Sequence, residues 1–518
     1  MSIPPDDGTL PTPDGLPGAR PATPKSRRWV GAMRALAVVA VGAGLVVGAS
    51  RVPGVAQLAP VVAADAPVRP QVRPVASASL TCPGPETEGL AGVPSAGGTT
   101  TVLAATAPTT TLGGVSAVDG PGRLQVTAAS TGQSLAATTQ RAGALDQAVS
   151  GAGAVQVSSS GSLAPGAAAL QTWVKGSGDE RALVATPCTA PRADLWLVGG
   201  GGQSSRRERV VLVNPGANTV TADVAVLGTD GELQTSGGRD VSVPPRGRTI
   251  LLLDALVGAE AAPVVHVTTA GGMLSAVLSD SWVDGAIGRG SDDAAPSAAP
   301  STEQVIPAAA FDGPAHLRIA VPGDQEAVVQ ARLLTADGPH PLPASAVVRI
   351  AGRHVVDIDL SVVPAGRDAI QVRADKPVVA GVMLERRGAS ATAQSDFAWA
   401  GSTAPISTVA GSPVPSGLAG ALTLVATGAP GTATVTTVSA TGAVTRREVT
   451  VPADGTVALP VVGPSGVWVS PSSGTLRAGI DLTVPVGRGA TSPGPLFTAY
   501  GLPSAPVTAI QVPVRRIG

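Results

Sequence analysis

The stretch VVLVNPGANTVTADVAVLGTDG, Val210–Gly231, decides how the chain folds. It opens on an apolar run that Asn214-Pro215-Gly216 stops, a combination that ends a strand in a turn. Apolar and polar residues then alternate at period two, the pattern of a strand buried on one face only. Asp230-Gly231 closes the stretch with the chemistry of a tight hairpin. Downstream, DVSVPPRGRTILLLDAL (240–256) reads as strand, Pro/Gly turn and strand, and PVVHVTT with MLSAVLSD adds a further hairpin.

The same order returns twice. HLRIAVPG, AVVQARLLTADG, AVVRIAGRHVVDIDL and DAIQVRADKPVVAGVML fill residues 316–384, and a third copy runs from ALTLVATGAPG to GVWVSPSSGTLRAGIDL across 421–482. Pro215, Pro322 and Pro430 are 107 and 108 residues apart, Gly231, Gly338 and Gly442 are 107 and 104 apart, and Gly247, Gly352 and Gly455 are 105 and 103 apart. Three landmarks holding one period define a repeat. A unit of about 100 residues with about seven short strands is the size of an immunoglobulin-like β-sandwich, in which two sheets close on each other to bury their apolar faces. The expected class is therefore all-β: tandem immunoglobulin-like sandwiches behind an N-terminal transmembrane helix.

The expected boundaries are a cytoplasmic tail at 1–28, a span at 29–50, a Pro/Ala-rich linker at 51–80 and a first mostly-β domain at 81–192. Three repeats follow at 193–300, 301–405 and 406–518. Within the first domain, SLAATTQRAGALDQAV (Ser134–Val149) is a helical candidate, and LAPGAAALQTWV adds a short helical turn. Placed in series, the sandwiches would form a rod that sets a distance from the membrane.

Composition narrows the function classes. Charged residues are only 14 % and aromatics 2 %, so cores must be built from Val, Leu, Ile and Ala. A net charge of −1, without basic runs interleaved with aromatics, argues against nucleic acid. WVGAMRALAVVAVGAGLVVGAS, Trp29–Ser50, follows Lys25, Arg27 and Arg28, which places the N-terminus in the cytoplasm and the remainder outside. The reading is a single-pass signal anchor in the cell membrane; secretion after signal cleavage is the alternative. Cys82 and Cys188 then both lie outside, where disulfides persist, and their separation of 106 residues fits no metal knuckle or redox pair. A disulfide bracketing the first domain is one reading, two buried thiols the other.

TCPGPE, LAPGAAALQTW, CTAPRADLWLVGGG and RVVLVNPG together resemble an uncharacterised actinobacterial family of membrane-anchored or secreted proteins that carries only a domain-of-unknown-function label. The resemblance rests most on Cys82-Pro83, on Cys188 with Trp196-Leu197-Val198-Gly199-Gly200, and on Asn214-Pro215-Gly216. It implies an extracytoplasmic setting and supplies no catalytic residues.

The residues nominate no catalytic or cofactor site. His266, His316, His340 and His354 stand apart from any Ser or Cys motif. Asp280, Asp284, Asp292 and Asp293 form a weak calcium candidate, whose spacing departs from an EF-hand and fits a solvated acidic loop equally. VGGGGQSS (198–205) lacks the Lys-Ser/Thr of a phosphate loop and reads as a turn between domains; the following Arg206–Arg209 segment reads as a solvated edge. Trp282 and Trp399 read as plugs at domain ends, while Trp173, Trp196 and Trp468 stand singly. The expected function is a non-catalytic, membrane-anchored scaffold or adaptor of the cell envelope, with an envelope protein as partner. The alternative is a module binding glycan or cell wall. A hydrolase, third, would need a polar cleft gathering carboxylates or a Ser-His pair.

Overall fold

The structure, a computed structural model, describes residues 71–511 apart from 87–96, 116–117, 119, 142, 150, 152, 343–346, 464 and 485–493. The expected tail and span, and the linker as far as residue 70, lie outside the described residues. Among the described residues no helix is long and apolar enough to cross a membrane. Among the described residues the regular structure is nearly all β, and the one described α-helix is the short Leu253–Val257.

The stretch that opens the sequence behaves as its pattern requires. Arg206–Val213 is a strand, and Val220–Gly228 is the next. Between them Asn214, fully buried, donates from Nδ2 to the carbonyls of Asn218 (2.7 Å) and Val243 (3.1 Å), and its Oδ1 accepts from the Gly216 amide (2.9 Å). One side-chain amide thus satisfies the turn's backbone groups, which an apolar residue there would leave unpaired. Gly231, Gly338 and Gly442 take φ of 115°, 108° and 81°, so the recurring glycines sit where the hairpins need left-handed backbone.

Strand pairing repeats with the sequence. Between Asp194 and Ala294, one sheet orders Asp194–Val198, Val264–Ala270, Val220–Gly228 and Gly231–Leu233, and a second orders Arg248–Leu252, Arg206–Val213, Ser275–Asp284 and Ile287–Ala294. The two close over Leu197, Leu212, Val226, Val267 and Leu278, all fully buried. The following two copies keep this order, with long strands running through both sheets. Gly366–Arg386 pairs with Ser301–Phe311 and Ala327–Thr335 in its first half and with Ala315–Ala320 and Asp396–Gly401 in its second. In the last copy, Ala419–Ser439 and Ser465–Val484 do the same.

The first unit has the same topology. Ser77–Cys82, Val155–Ser160, Arg123–Ala128 and Ser134–Thr138 form one sheet, and Leu145–Ala148, Thr99–Thr106, Ala167–Lys175 and Ala182–Pro187 form the other. This corrects the helical reading of Ser134–Val149: two strands occupy it, each taking backbone bonds from a neighbour. An Ala-rich segment has helix propensity, but tertiary pairing at a sheet edge overrides so weak a prior. In LAPGAAALQTWV the helical part shrinks to a 3-10 turn at Gly161–Leu163 before the strand begins at Ala167. Cys82 and Cys188 are joined in a disulfide inside this unit's core. The segment expected to be spacer up to residue 80 contributes two strands, Gln71–Pro74 and Ser77–Cys82.

The rod is overturned. The last strands of the four units, Ala182–Pro187, Ile287–Ala294, Asp396–Gly401 and Leu496–Gly501, pack in a closed cycle, the fourth returning to the first. Gln71–Pro74 pairs antiparallel with Thr508–Gln511 and joins the two ends of the described chain. Where the cycle closes, carboxylates bind the strands together. Asp396 Oδ2 accepts from the amides of Leu183 (3.0 Å) and Phe497 (2.9 Å), and its Oδ1 accepts from Phe397 (3.0 Å). Asp292 Oδ2 accepts from the Trp399 amide (2.7 Å), and Asp293 Oδ2 from the Thr186 hydroxyl (2.9 Å).

Arginines cross the remaining seams. Arg318 of the third unit reaches the carbonyls of Gly199 (2.7 Å), Gly200 (3.0 Å) and Pro263 (3.1 Å) in the second. Arg367 binds Asp481 (3.0 Å), and Arg477 binds Glu303 (3.2 Å), across the third and fourth. The expected solvated edge at Arg206–Arg209 is therefore corrected: Arg206, Glu208 and Arg209 are buried, and only Arg207 is exposed. Arg206 forms a two-point bond with Asp280 (2.7 and 2.5 Å) while lying 5.4 Å from the ring centres of both Trp282 and Phe397. Desolvated charges persist only when paired in this way.

Candidate functional site

The second sheet of each unit has an outer face, and those of the first two units look toward each other. On Ala167–Lys175, Gln171 and Trp173 lie two apart and so share a face; Val184 stands opposite Trp173 on the neighbouring strand. On Ser275–Asp284, Ser279 and Ser281 share a face, and across the ladder they meet Asp293 and Ser291. Together with Pro85, Glu86 and Glu180, these residues line a small cleft with a volume of about 40 Å³.

Several of the lining residues are held by neighbours. Trp173 donates from Nε1 to the Gly97 carbonyl (2.7 Å), which fixes the plane of its ring, and Gln171 Oε1 accepts from the Gly84 amide (2.8 Å). Glu86 pairs with Arg209 of the second unit. Glu180 takes Lys175 (3.0 Å) and Arg207 (2.9 Å). Burial pushes the Glu86 carboxyl up against the pull of Arg209. At Glu180 burial pushes the same way, but the bonds from Arg207 and Lys175 prevail and hold it below the ordinary value. Asp293 is raised by burial in spite of hydroxyl bonds from Thr186 and Ser279.

One acidic neighbour of the seam is shifted far above the ordinary carboxyl range. Glu208 accepts from the Gly201 amide and sits 3.7 Å from Arg206 Nε. Burial, reinforced by Asp280, lifts its pKa from 4.5 to about 8. A carboxyl whose folded pKa is raised contributes stability fully below its unfolded pKa, and loses it as pH climbs through the folded one. The protein should therefore weaken between about pH 4.5 and about pH 8 relative to Glu208→Gln. The difference should approach about 1.4 kcal/mol per pH unit in that window. Denaturant titrations at intervals across it measure the slope, and parallel curves for the two proteins would refute the assignment.

The carboxylates nominated from sequence lie on one hairpin, with Asp280 opposite Asp292, but each is engaged by protein partners. Asp280 is bound to Arg206, Asp292 to the Trp399 amide and Asp293 to Thr186, while the exposed Asp284 pairs with Arg289 (2.8 Å). Among the described residues, no group of three or more His, Cys, Asp or Glu is arranged to hold a metal ion. His266 stacks on Trp196 at 3.8 Å, His316 bonds Asp357 (2.9 Å), and His354 bonds the Gly352 carbonyl (2.7 Å). Trp399 is buried against Asp280 (2.8 Å), and Trp282 lies against Arg206. The cleft residues Glu86, Gln171, Glu180, Ser279, Ser281 and Ser291 were not nominated. For Gln171, Ser279, Ser281 and Ser291 the available signal was a polar position at period two on a strand, whereas Glu86 and Glu180 lie in turns and had none.

A family model described as a family of unknown function (DUF5719) matches residues 143–462. The match covers more than half of the chain, which belongs to this family, and it extends from the first unit into the fourth. No curated protein matches the chain.

Proposed function

We propose that the chain is a non-catalytic, membrane-anchored extracytoplasmic scaffold of the cell envelope, built from four immunoglobulin-like sandwiches locked into one body. The observation behind this reading is the closed cycle of last strands, in which buried carboxylates and arginines are engaged in holding units together. A body joined in this way presents fixed outer sheets to a protein partner, and the buried disulfide suits the oxidising side of a membrane. Crosslinking of the tagged full chain in intact cells tests it. One reproducible envelope protein, lost when an outer sheet is altered, supports the scaffold; recovery of wall polymer alone refutes it.

A second reading, a module that binds glycan or cell wall, is favoured by the cleft between the first two units. Trp173 supplies a rigid aromatic wall there, and serines and carboxylates face it. Co-sedimentation with purified wall distinguishes it from the scaffold. The cleft does gather carboxylates, as a hydrolase would require. Glu86 and Glu180, however, are each tied to cations, which favours a binding role over proton transfer.

A further inference from the structure

We infer that the ribbon formed by Gln71–Pro74 and Thr508–Gln511 docks tip first on an anionic lipid surface, with Val72 and Ile510 entering the headgroup layer. The inference rests on the membrane-anchored reading and adds to it a second, weaker attachment made by the folded body itself.

Val72, Arg73, Thr508, Ala509 and Ile510 are all exposed, so both faces of this ribbon stand clear of the sandwiches. Its base is fixed. The Val75 amide donates to the Val507 carbonyl (3.0 Å), and Val507 is buried with Ala105, Leu112 and Trp468 between the first and fourth units. Beyond that base, Val72 and Ile510 stand directly opposite each other, each 69 % exposed. Among the described residues, no other two large apolar side chains so exposed are ladder partners. Apolar residues exposed singly are ordinary, whereas a pair held together at a protruding tip suits a partner that takes a shallow apolar contact. A stable protein interface engages about 20–30 residues a side, far more than this tip presents. A lipid surface has no such requirement.

Charge selects the lipid. No acidic residue occurs from Ala66 to Pro85 or after Asp481, while Arg69, Arg73, Arg515 and Arg516 fall in the stretches that enter and leave the ribbon. The whole chain carries a net charge of only −1, so this end is basic by local bias. Arg73 lies on the face opposite Val72, and its long stem lets the guanidinium reach phosphate oxygens while the apolar pair sits deeper. Anionic headgroups attract basic residues clustered in this way. Connectivity supplies the rest. The stretch 51–70 is all that separates Gln71 from the apolar run Trp29–Ser50, and fully extended it reaches at most about 70 Å. An anchored chain therefore keeps the ribbon at high effective concentration over its own bilayer, which populates a contact too weak for a free protein.

The full chain, reconstituted in vesicles, tests the inference. Ile510→Cys carries an environment-sensitive fluorophore; both native cysteines are held in the disulfide, so only the added thiol is labelled. In phosphatidylcholine vesicles containing phosphatidylglycerol, emission should move to the blue, and brominated lipid should quench it by about twofold or more. Both effects should fade in pure phosphatidylcholine, and in about 0.5 M salt, where screening shortens to about 4 Å. Val72→Asp and Arg73→Gln, both at exposed positions, should each weaken them. The same probe at Val462, which is 71 % exposed elsewhere on the fourth unit, should report water throughout. An unshifted probe in anionic vesicles overturns the inference and leaves the anchored reading intact. Equal shifts in neutral vesicles, or a shift that vanishes as chains are diluted in lipid, overturn it in favour of a purely apolar contact or of a second copy. A chain that carbonate washes from the vesicles overturns the anchored reading and this inference with it.

Discussion

Replacing both Cys82 and Cys188 by alanine should lower the stability of the first unit by about 4–5 kcal/mol. The cysteines are 106 residues apart, and closing a loop of that length removes much of the freedom of the unfolded chain. The folded side adds a second contribution. Both cysteines are buried in the core formed with Val102, Leu124, Val126 and Val157, so alanine leaves unfilled space there. Alanine is the informative replacement, since a serine would bury an additional hydroxyl. The topology should survive. Thr81 and Thr189, next to the two cysteines, exchange backbone bonds of 2.8 and 3.2 Å, which hold the same register without sulfur. The variant should therefore fold, unfold at lower denaturant, and be cut first between Ser77 and Pro187 in limited proteolysis. A loss below about 1 kcal/mol would mean that the unfolded chain is already constrained there by other means. Reductant should act slowly on the native protein because neither sulfur is open to solvent.

The repeat was legible because its signals are local. Apolar alternation, Asn214 before Pro215-Gly216, and glycines at fixed intervals each report on a few neighbouring residues, and the strands fall where those signals put them. The first unit was harder because its edge strands are short and rich in Ala and Thr, with burial that alternates only weakly along Ser134–Thr138. Such a segment has no strong period, and pairing partners far away in sequence decide its state.

The closed cycle was not legible at all, and Ile287–Ala294 shows why. IGRGSDDA has hardly an apolar residue and reads as a solvated acidic loop, yet it is an edge strand that packs between the last strands of the first and third units. Its glycines make this arrangement possible. A Cβ on Gly290 would lie 2.3 Å from Asp396 Oδ1 and 2.8 Å from Asp396 Cα, so only glycine admits the third unit's strand this closely. Its aspartates are then acceptors for neighbouring strands. The cleft was hidden for a related reason. Glu86 and Asp293 meet across more than two hundred residues, and no periodicity within one strand encodes which unit will face it.

Asp396→Ala should cost the most among single substitutions at the hub, about 4 kcal/mol or more. The carboxylate is fully buried and accepts from three backbone amides, Phe397 on its own strand, Leu183 in the first unit and Phe497 in the fourth. Alanine removes both acceptor oxygens, and with them all three bonds, from a place closed to water, and each orphaned buried donor costs about 1–3 kcal/mol. Asp396→Asn separates geometry from chemistry. It keeps the shape and one carbonyl oxygen, but its NH2 now faces an amide that also donates, so at least one bond is lost and a substantial part of the penalty remains. The location of the damage is the sharper test. Hydrogen exchange in both variants should quicken at Leu183 and Phe497, in strands that Asp396 touches from a third unit. Val220–Gly228, paired within its own sheet and remote from this carboxylate, should keep its protection. Uniform loss of protection would mean that the four units unfold as one cooperative body. Loss confined to the hub would mean that the cycle can open while each sandwich stays folded, with Asp396 as the clasp that holds it shut.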